Sequence, residues 1–524
     1  MDNKKILFGN DSRSKLKEGI DGVANAVKAT LGYGGRVVVI SNTGFPARST
    51  KDGVTVANSI KFKDEEVDAG AKIIKEASSQ TADDVGDGTT TVCVLMQKIV
   101  EEGIKAIGTG ANAVLIKKGI EYAVKKVVDI IDGMKVEATK EMLYNVATVS
   151  ANNDNEIGKM IGDVYMDLDK HAIITLEDSK SPLTYVDYVQ GFQFNSGYFS
   201  HHFVNNYSNN NCELDNPYVL ILEGKINDYS QIAAIANRVA LQQRALLIIA
   251  EDFDRSVPAT LIKNFSVLKS CIVKYNFTGE TKQELMYDIA AVTGGTIAES
   301  KGDRIETIGV DYLGECERVV ISKDETLLIR GRKSEDLLKA RIKDASTKIE
   351  KAKNPFQKQQ QEKRFARLSG KIAVCYVGGS TEVEINEKKD RIDDSIRATK
   401  AAMEDGVVPG GGTALLRCVN RIMIDASRMD IPDDVRWGIK IVGTAIQSPA
   451  STIMLNAIGS TDHLKEVMNA MDNFGYNVAT DTVCDMFEAG ILDPAKVVKL
   501  CLQNAASSAC QVLISEVLIV SDNN

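Results

Sequence analysis

The chain has 524 residues, of which 44% are hydrophobic and 26% charged, and its formal net charge at pH 7 is −9. This length predicts about three domains, and the composition excludes a largely disordered protein. A nucleic-acid-binding surface would need a basic excess, which the acidic balance does not supply. Four histidines and one tryptophan also argue against a His-rich metal centre or an aromatic stacking platform.

The cysteines and the chain start indicate the compartment. Nine cysteines are scattered without a Cys-x-x-Cys motif, which predicts free thiols in a reducing environment. The apolar part of the first ten residues is too short for a signal peptide. No stretch is interpreted as the run of about 20 apolar residues that spans a bilayer. We therefore expect a soluble, cytoplasmic protein with no membrane or nucleic-acid partner.

The first 130 residues predict long helices. Apolar residues recur at helical spacing over residues 16–31, and Gly32 ends this run. Residues 37–40 are β-branched and predict a short strand. A second amphipathic helix follows Gly88, and Asn112 is placed to open a third.

From about residue 172 the pattern changes to an α/β module with buried strands. Its strands are predicted at residues 172–176, 218–222, 246–250 and 319–321. Residues 333–368 are highly charged and contain Pro355, which predicts two solvated helices joined by a bend. Helical spacing returns from Asp394, and residues 512–520 are interpreted as a strand. This order fits a helical domain made from both chain ends around an inserted module.

The strongest chemical motif is Gly86-Asp87-Gly88-Thr89-Thr90-Thr91. Two glycines allow a tight turn, and the following helix start presents unpaired N–H groups that favour phosphate. The threonines add hydroxyl donors, and Asp87 supplies a carboxylate that suits Mg²⁺. On these residues alone, a well-capped helix start after a glycine turn is an equally good interpretation.

Other glycine-rich or acidic segments are each weaker. Thr30 to Arg36 could lie against a nucleotide or simply cap a helix, and Thr50 to Gly53 could be only a turn. Three consecutive glycines at 410–412 imply close approach or movement. Asp393 and Asp394 are interpreted as acidic residues at a helix start, where the dipole favours them. No GxxxxGK[ST], HExxH or Ser/His/Asp arrangement is present.

Taken in order, these segments resemble the group I chaperonins (the GroEL family), with this chain as a divergent member over residues 4–521. The motifs that carry the resemblance are Lys28–Gly32, Thr50–Val54, Gly86–Thr91, Glu251-Asp252, Thr381–Glu384, Gly406–Gly412 and Gly490–Pro494. The resemblance implies a multidomain α and α/β fold. A helical equatorial ATP domain would comprise 1–133 and 407–524, a small intermediate domain 134–190 and 371–406, and an inserted α/β apical domain 191–370.

The resemblance also implies functional residues and cofactors, namely ATP, Mg²⁺ and K⁺. Asp394 and Asp52 would be catalytic, Asp87 would bind Mg²⁺, and Thr30, Lys51 and Thr90 would bracket K⁺. The nucleotide would contact Thr30, Leu31, Gly32, Tyr33, Lys51, Asp87, Gly88, Thr89, Thr90, Thr91, Gly411, Asn477, Val478, Ala479 and Asp493. Non-native client proteins would contact Tyr198, Phe199, Phe203 and Ile262.

The implied function is that of an ATPase that binds non-native proteins in the cavity of a homo-oligomeric ring, single or double and heptameric, and promotes their folding. An alternative is a ring-forming holdase or scaffold with little productive refolding; a metabolic kinase is a more distant one. The client groove departs from the family at Ala233, Ala236, Pro258 and Lys263, which favours the holdase and leaves use of a co-chaperonin lid open. Tyr33 replaces a family proline in the ATP site, so that loop loses a fixed φ.

Overall fold

The computed structural model of the chain describes residues 4–41, 48–168, 173–179, 181–207, 210–275, 279–299, 308–332, 335–352, 355–470 and 473–521. The chain divides into two compact units. The first unit comprises residues 1–171, 176–185 and 375–524, and the second comprises residues 172–175 and 186–374. The first unit is therefore made from both ends of the chain. The division into equatorial, intermediate and apical segments stays a prediction.

Amphipathic helices make up the N-terminal part of the first unit. Asn112 accepts hydrogen bonds from the backbone N–H groups of Val114 and Leu115, so the predicted start of the third helix is confirmed. The helices are α1 Gly9–Val27, α2 Gly53–Ser59, α3 Glu65–Val85, α4 Thr89–Gly108, α5 Ala113–Met134, α6 Lys140–Ser150 and α7 Asn155–Leu168. A single 3₁₀ turn, Lys28–Thr30, continues α1 towards Gly32.

The second unit supplies the next five helices. They are α8 Ser230–Leu241, α9 Ser256–Lys263, α10 Gly279–Thr293, α11 Glu335–Glu350 and α12 Pro355–Ser369. The charged pair α11 and α12 is confirmed, but part of its charge is buried. Arg364 donates to both carboxylate oxygens of Asp288 at 2.7 and 2.9 Å. The pair is thus anchored to α10, and the expectation of purely solvated helices is corrected.

The C-terminal part of the first unit returns to helices. These are α13 Glu382–Asp405, α14 Thr413–Arg428, α15 Asp433–Ala445, α16 Ser448–Ile458, α17 Leu464–Asn469 and α18 Ala495–Ile514. Because α13 begins at Glu382, Asp393 and Asp394 lie in its middle, not at a helix start as the sequence suggested. Most of residues 382–393 are charged, so apolar spacing does not reveal the first half of this helix.

Helix α18 corrects two expectations. Residues 512–514 end this helix, and only the residues from Val517 onward form a strand. Among the described helices, α18 is also the one whose length and apolar composition would suffice to cross a membrane, a stretch that the sequence analysis overlooked. Its Cys501, Leu502, Ala505 and Val512 are fully buried in the apolar core of the first unit, so packing accounts for its composition.

The described residues also contain twenty strands. They are β1 Lys4–Phe8, β2 Val38–Ile40, β3 Arg48–Thr50, β4 Ile173–Asp178, β5 Tyr185–Phe194, β6 Cys212–Asp215, β7 Tyr218–Glu223, β8 Lys225–Ile226, β9 Leu246–Ala250, β10 Asp252–Phe253, β11 Ser270–Lys274, β12 Ile297–Glu299, β13 Gly314–Ile321, β14 Thr326–Gly331, β15 Lys371–Val377, β16 Val407–Pro409, β17 Phe474–Asn477, β18 Thr482–Asp485, β19 Leu492–Pro494 and β20 Val517–Ser521.

A parallel sheet forms the centre of the second unit. Its order is β12-β7-β9-β11, and helices α8, α9 and α10 connect successive strands. All five residues of β9 are buried, as expected for a strand covered on both faces. Strand β13 pairs antiparallel with β6, β7 and β14. The predicted α/β module and its strands at 218–222, 246–250 and 319–321 are confirmed.

Candidate functional site

A cavity of about 450 Å³ lies within the first unit, a size that suits a nucleotide-sized ligand. It is lined by residues from well-separated parts of the chain, including the segments 30–33, 50–53, 87–91, 411–412 and 476–479. Asp394 of α13 and Asp493 of β19 also line it. The cavity is therefore a product of tertiary folding, since no single segment forms more than one wall.

The first wall is the loop between α3 and α4. Gly86 (φ 71°) and Gly88 (φ 81°) both adopt the left-handed conformation that favours glycine. They reverse the chain so that α4 begins at Thr89 with its N-terminus at the cavity. The side chains of Thr89 and Thr90 are almost completely buried there. This wall presents free helix N–H groups and hydroxyls, the donor set that binds phosphate.

Helix α2 brings a second carboxylate to this wall. Asp52 caps α2 by accepting from the N–H groups of Val54 and Thr55 at 3.1 and 2.8 Å. Any Cβ at Gly53 would lie only 2.5 Å from the hydroxyl oxygen of Thr90. Glycine is therefore required for α2 to approach α4 so closely. The same packing fixes the position of Asp52 at the cavity.

The segment after α1 forms the next wall. The side-chain amide of Asn456 donates to the carbonyl groups of Lys28 and Leu31 at 2.8 and 2.9 Å, so helix α16 holds this loop in place. The hydroxyl groups of Thr30 and Thr90 lie 3.3 Å apart. Tyr33 stands at the rim of the cavity with 61% of its surface exposed.

The opposite wall is built on the β16–β19 pair. Val408 lies across from Asp493 in this ladder, and the glycines after β16 donate two backbone hydrogen bonds to the Asp493 carboxyl group, from Gly411 and Gly412. Hairpin β17–β18 adds Asn477 and the two residues that follow it. This wall offers carbonyl, amide and carboxyl groups suited to a nucleoside.

Burial and neighbouring charges raise the pKa values of several carboxyl groups that line the cavity. The pKa of Asp394 is raised well above its ordinary value by burial and by the charges of Asp87 and Asp52. Burial also raises the pKa of Asp87, against a hydrogen bond from the Gly88 N–H. Burial and Asp87 together raise the pKa of Asp493 to about 7. The negative charges of these neighbouring carboxyl groups therefore favour the binding of a cation in the cavity.

Helix α13 is attached to the phosphate-facing loop by Arg397. This side chain donates to the carbonyl of Ala82 at 3.1 Å and pairs with Asp393 at 2.9 Å. Its stem lies directly over Gly86, where any Cβ would overlap it. Since Asp394 lies on the same helix, the contact sets the distance of that carboxylate from the loop.

Comparison with known proteins agrees with this architecture. Residues 23–523 match the model of the TCP-1/cpn60 chaperonin family. The chain belongs to this family. Two crystal forms of the chaperonin gp146 from bacteriophage EL 2 (Pseudomonas aeruginosa), obtained in the presence of ATP-BeFx, have a similar fold, with TM-scores of 0.69 and 0.63. In both cases the identity is 21% and 99% of each chain is covered.

The predicted chaperonin membership and the multidomain α and α/β fold class are thus confirmed. Within this chaperonin, the cavity gathers every residue predicted for catalysis, nucleotide and cation binding. These are Thr30, Leu31, Gly32, Tyr33, Lys51, Asp52, Asp87, Gly88, Thr89, Thr90, Thr91, Asp394, Gly411, Asn477, Val478, Ala479 and Asp493. Their individual roles stay predictions.

The residues predicted to bind client proteins differ in their exposure to solvent. Phe203 is fully buried in the core of the second unit, and Tyr198 and Ile262 pack partly against that core. Phe199 keeps 39% of its surface exposed and makes an edge contact with Phe253. In this structure, therefore, Phe199 is the predicted client residue with the largest exposed ring, while Phe203 has no surface to offer.

Several residues that line the cavity were not predicted. They include Ser150, Arg391, Ile453, Tyr476, Val497 and Cys501. The Ser150 hydroxyl donates to Asp87 at 3.2 Å, and the Cys501 thiol donates to the Gly88 carbonyl at 3.3 Å. Helical spacing within 497–501 would have placed Val497 and Cys501 on one face of a helix that starts just after Asp493. The others carry no such signal.

Proposed function

We propose that this protein is an ATP-dependent chaperonin that binds non-native proteins in a ring cavity and promotes their folding through ATP binding and hydrolysis. The observation that carries the proposal is the convergence of three carboxylates on one cavity. Asp52, Asp87 and Asp394 come from three different helices or loops, and all line the cavity beside the N-terminus of α4. Phosphoryl transfer to water needs neutralised phosphate charge and an aligned water. The helix N–H groups and a cation held by a carboxylate would supply the first, and a further carboxylate would supply the second.

The cavity residues fit a magnesium nucleotide. Among the residues that the structure describes, no three His, Cys, Asp or Glu side chains form a group close enough to hold a metal by themselves. Mg²⁺ commonly uses one or two carboxylates and takes its other ligands from phosphates and water. Asp87 is the carboxylate adjacent to the helix N-terminus and would hold it. The ion would supply charge neutralisation at the phosphates, and Thr30, Lys51 and Thr90 would bracket a K⁺ ion.

Asp394 is assigned as the base that orients the attacking water and accepts its proton. A carboxyl with a raised pKa accepts a proton more readily than an ordinary aspartate. Burial, followed by the charges of Asp87 and Asp52, raises the pKa of Asp394, and cations bound beside those two carboxylates would partly offset the rise. Asp52, held by its own helix cap, is the second carboxylate beside the water. Turnover should therefore rise with pH as Asp394 loses its proton.

The test is Asp394→Asn, which keeps the shape of the side chain and removes the base. ATP turnover should fall by about 100-fold or more, while ATP affinity measured by calorimetry stays within a few fold. The matched control is Glu404→Gln, which removes a charge from the same helix at a carboxylate that pairs with Lys496. Unchanged turnover in Asp394→Asn would contradict the mechanism.

Assembly and client handling complete the proposal. Membership of the chaperonin family supports a ring-shaped homo-oligomer that encloses clients, and we place it in the cytoplasm. Electron microscopy of the purified protein, with and without ATP, would give ring number and symmetry. Monomers in both conditions would contradict the ring.

A holdase or scaffold is the second candidate, and the second unit favours it. Phe203 and Ala236 are buried there, and Lys263 is exposed beside Ile262. A client would therefore find less apolar surface than four aromatic or aliphatic side chains suggest. Refolding of a denatured enzyme without nucleotide, with ATP, and with ATP plus a co-chaperonin separates the candidates. Recovery with ATP supports folding, whereas suppressed aggregation with no recovery in any condition supports the holdase.

A further inference from the structure

Hairpin β17–β18 forms part of the nucleoside-facing wall of the cavity, and its Tyr476 also contacts a histidine that does not line the cavity. Tyr476 lines the cavity and is 94% buried, its relative exposure being 6%. The ring of His463, which immediately precedes α17, stacks on Tyr476 with centroids 4.7 Å apart and planes inclined by 12°. A half-exposed histidine therefore lies directly behind an aromatic residue of the binding wall.

Acidic groups surround this histidine on both of the elements it touches. Its Nδ1 lies 3.0 Å from Glu466 of α17, and its Nε2 lies 3.9 Å from Asp481 in the hairpin turn. The hydroxyl of Tyr476 donates to the same Asp481 carboxylate. Asp462, next to His463 in the chain, adds a further negative charge. One imidazolium would thus join α17 to strand β17 and to the turn of the hairpin.

The direction of the proton linkage follows from these partners. Hydrogen bonding to Glu466, followed by the charges of Glu466, Asp481 and Asp462, raises the pKa of His463 above 6.5, against the opposing effect of burial. A group whose pKa is raised on folding stabilises the folded arrangement at low pH. That stabilisation is lost as pH rises through the raised pKa.

A second anchor keeps the base of the hairpin in place at any pH. Arg417 of α14 donates to the carbonyl of Ala470 at 3.0 Å and to the carbonyl of Phe474. These bonds involve a permanently charged guanidinium. Deprotonation of His463 therefore loosens the turn around Asp481 and the Tyr476 ring, and leaves the start of β17 attached.

We infer that His463 is a positioning residue for the nucleoside of the bound nucleotide. Its protonated ring fixes Tyr476 and the hairpin from behind, so that residues 476–479 are ordered to receive the base and ribose. Nucleotide affinity is consequently proton-linked through a residue that does not touch the nucleotide. The inference rests on the proposed ATP binding. It adds a determinant of nucleotide affinity that lies outside the residues of the site.

The test compares three states of position 463 at about pH 6 and about pH 8.5, on either side of a histidine titration. His463→Gln lacks the charge at both values, and His463→Lys keeps a cation at both. Calorimetry with Mg²⁺ and ATP should show wild type binding about two- to fivefold tighter than His463→Gln at the lower pH. The two should be equal at the higher pH, where His463→Lys should be the tightest of the three.

The comparison is made between variants at each pH because Asp493 and other cavity carboxyls titrate in all of them. Lys465→Gln, which removes a charge from the same short helix, should follow wild type at both values. A ratio of wild type to His463→Gln that does not change with pH would overturn the inference while leaving the proposed function intact. Absence of ATP binding by wild type would instead overturn the proposed function and the inference with it.

Hydrogen exchange without nucleotide gives a readout that does not depend on ATP binding. Amides of residues 476–485 should exchange faster in His463→Gln than in wild type at the lower pH, and equally at the higher pH after correction for the intrinsic rate. Amides of α14 should not differ. Equal protection of the hairpin at the lower pH would also overturn the inference.

Discussion

The two units of this chaperonin differ in how their predicted functional residues are placed. In the first unit, residues as distant in sequence as Thr30 and Asp493 line one cavity. In the second unit, Phe203 is fully buried while Phe199 keeps an exposed ring. A nucleotide site needs particular charges and backbone donors at fixed positions, so its residues carry a chemical signature. A client surface needs only exposed apolar area, which many different side chains can provide, so its residues carry no comparable signature.

Because of this difference, we expect substitutions in the cavity and substitutions at the predicted client residues to have different effects. Changes at the cavity should alter binding or turnover and leave the fold intact, because the walls are held by capping and backbone hydrogen bonds. Changes at the predicted client residues should divide between stability and client binding according to burial. The following four predictions test that division, from the largest expected effect to the smallest.

Phe203→Ala should destabilise the second unit by about 3–5 kcal/mol, because a fully buried ring leaves a cavity. Phe199→Ala is the matched variant and should cost far less stability while weakening client capture. Trp437, the single tryptophan, lies in the first unit. Circular dichroism should therefore show the loss in Phe203→Ala, with the tryptophan fluorescence transition as internal reference. An unchanged denaturation midpoint would mean that Phe203 is not a core residue in solution.

Asp87→Asn should weaken Mg²⁺-dependent ATP binding by about 100-fold, since the metal loses its carboxylate ligand. Binding of ATP in the presence of EDTA should hardly change. Calorimetry with and without Mg²⁺ measures both. Equal losses in the two conditions would show that Asp87 shapes the loop and does not bind the metal.

Arg397→Ala should lower ATP turnover by about tenfold without changing KM, because Asp394 would lose its fixed distance from the loop. Lys400→Ala, on an exposed position of the same helix, is the control. Steady-state kinetics gives both constants. A rise in KM with constant turnover would place Arg397 in nucleotide binding instead of positioning.

Asp394→Asn should stabilise the nucleotide-free protein at neutral pH, because burial and the neighbouring carboxylates raise the pKa of Asp394 well above its ordinary value. A carboxyl with a raised pKa adds repulsion as it ionises, and asparagine cannot ionise. The gain should therefore be absent below the ordinary aspartate pKa, grow as pH rises from there to the raised value, and level off above it. Thermal unfolding over a pH series measures it, and a gain that is constant with pH would refute this account.

The sequence was sufficient for the parts of the site whose chemistry is local. A glycine pair before a threonine-rich helix start is typical of a phosphate loop or of a capped helix start, and Asn112 predicts a helix cap, because both patterns act within a few residues. The resemblance to chaperonins then implied that the distant segments form one nucleotide site. Periodicity predicted the order of helical and α/β segments, and the resemblance implied the fold class.

Residues that act through tertiary contacts could not be found in this way. Arg397 is one charge among many on α13, and only the structure shows it over Gly86. His463 and Tyr476 are separated by residues with no regular pattern, so their stacking has no sequence signature. The burial of Phe203 likewise depends on how its segment packs, which the aromatic composition of residues 198–203 does not determine.

The pairing of β1 with β20 sets Lys4 opposite Ser521, and it has a consequence during synthesis. Domains generally fold as units in the order in which they leave the ribosome. Most of the second unit is one continuous stretch, residues 186–374, and can fold while translation continues. The first unit must wait for α18 and β20, and its cavity lacks Asp493 and Cys501 until then. A nascent chain would thus display its α/β unit well before this cavity is complete.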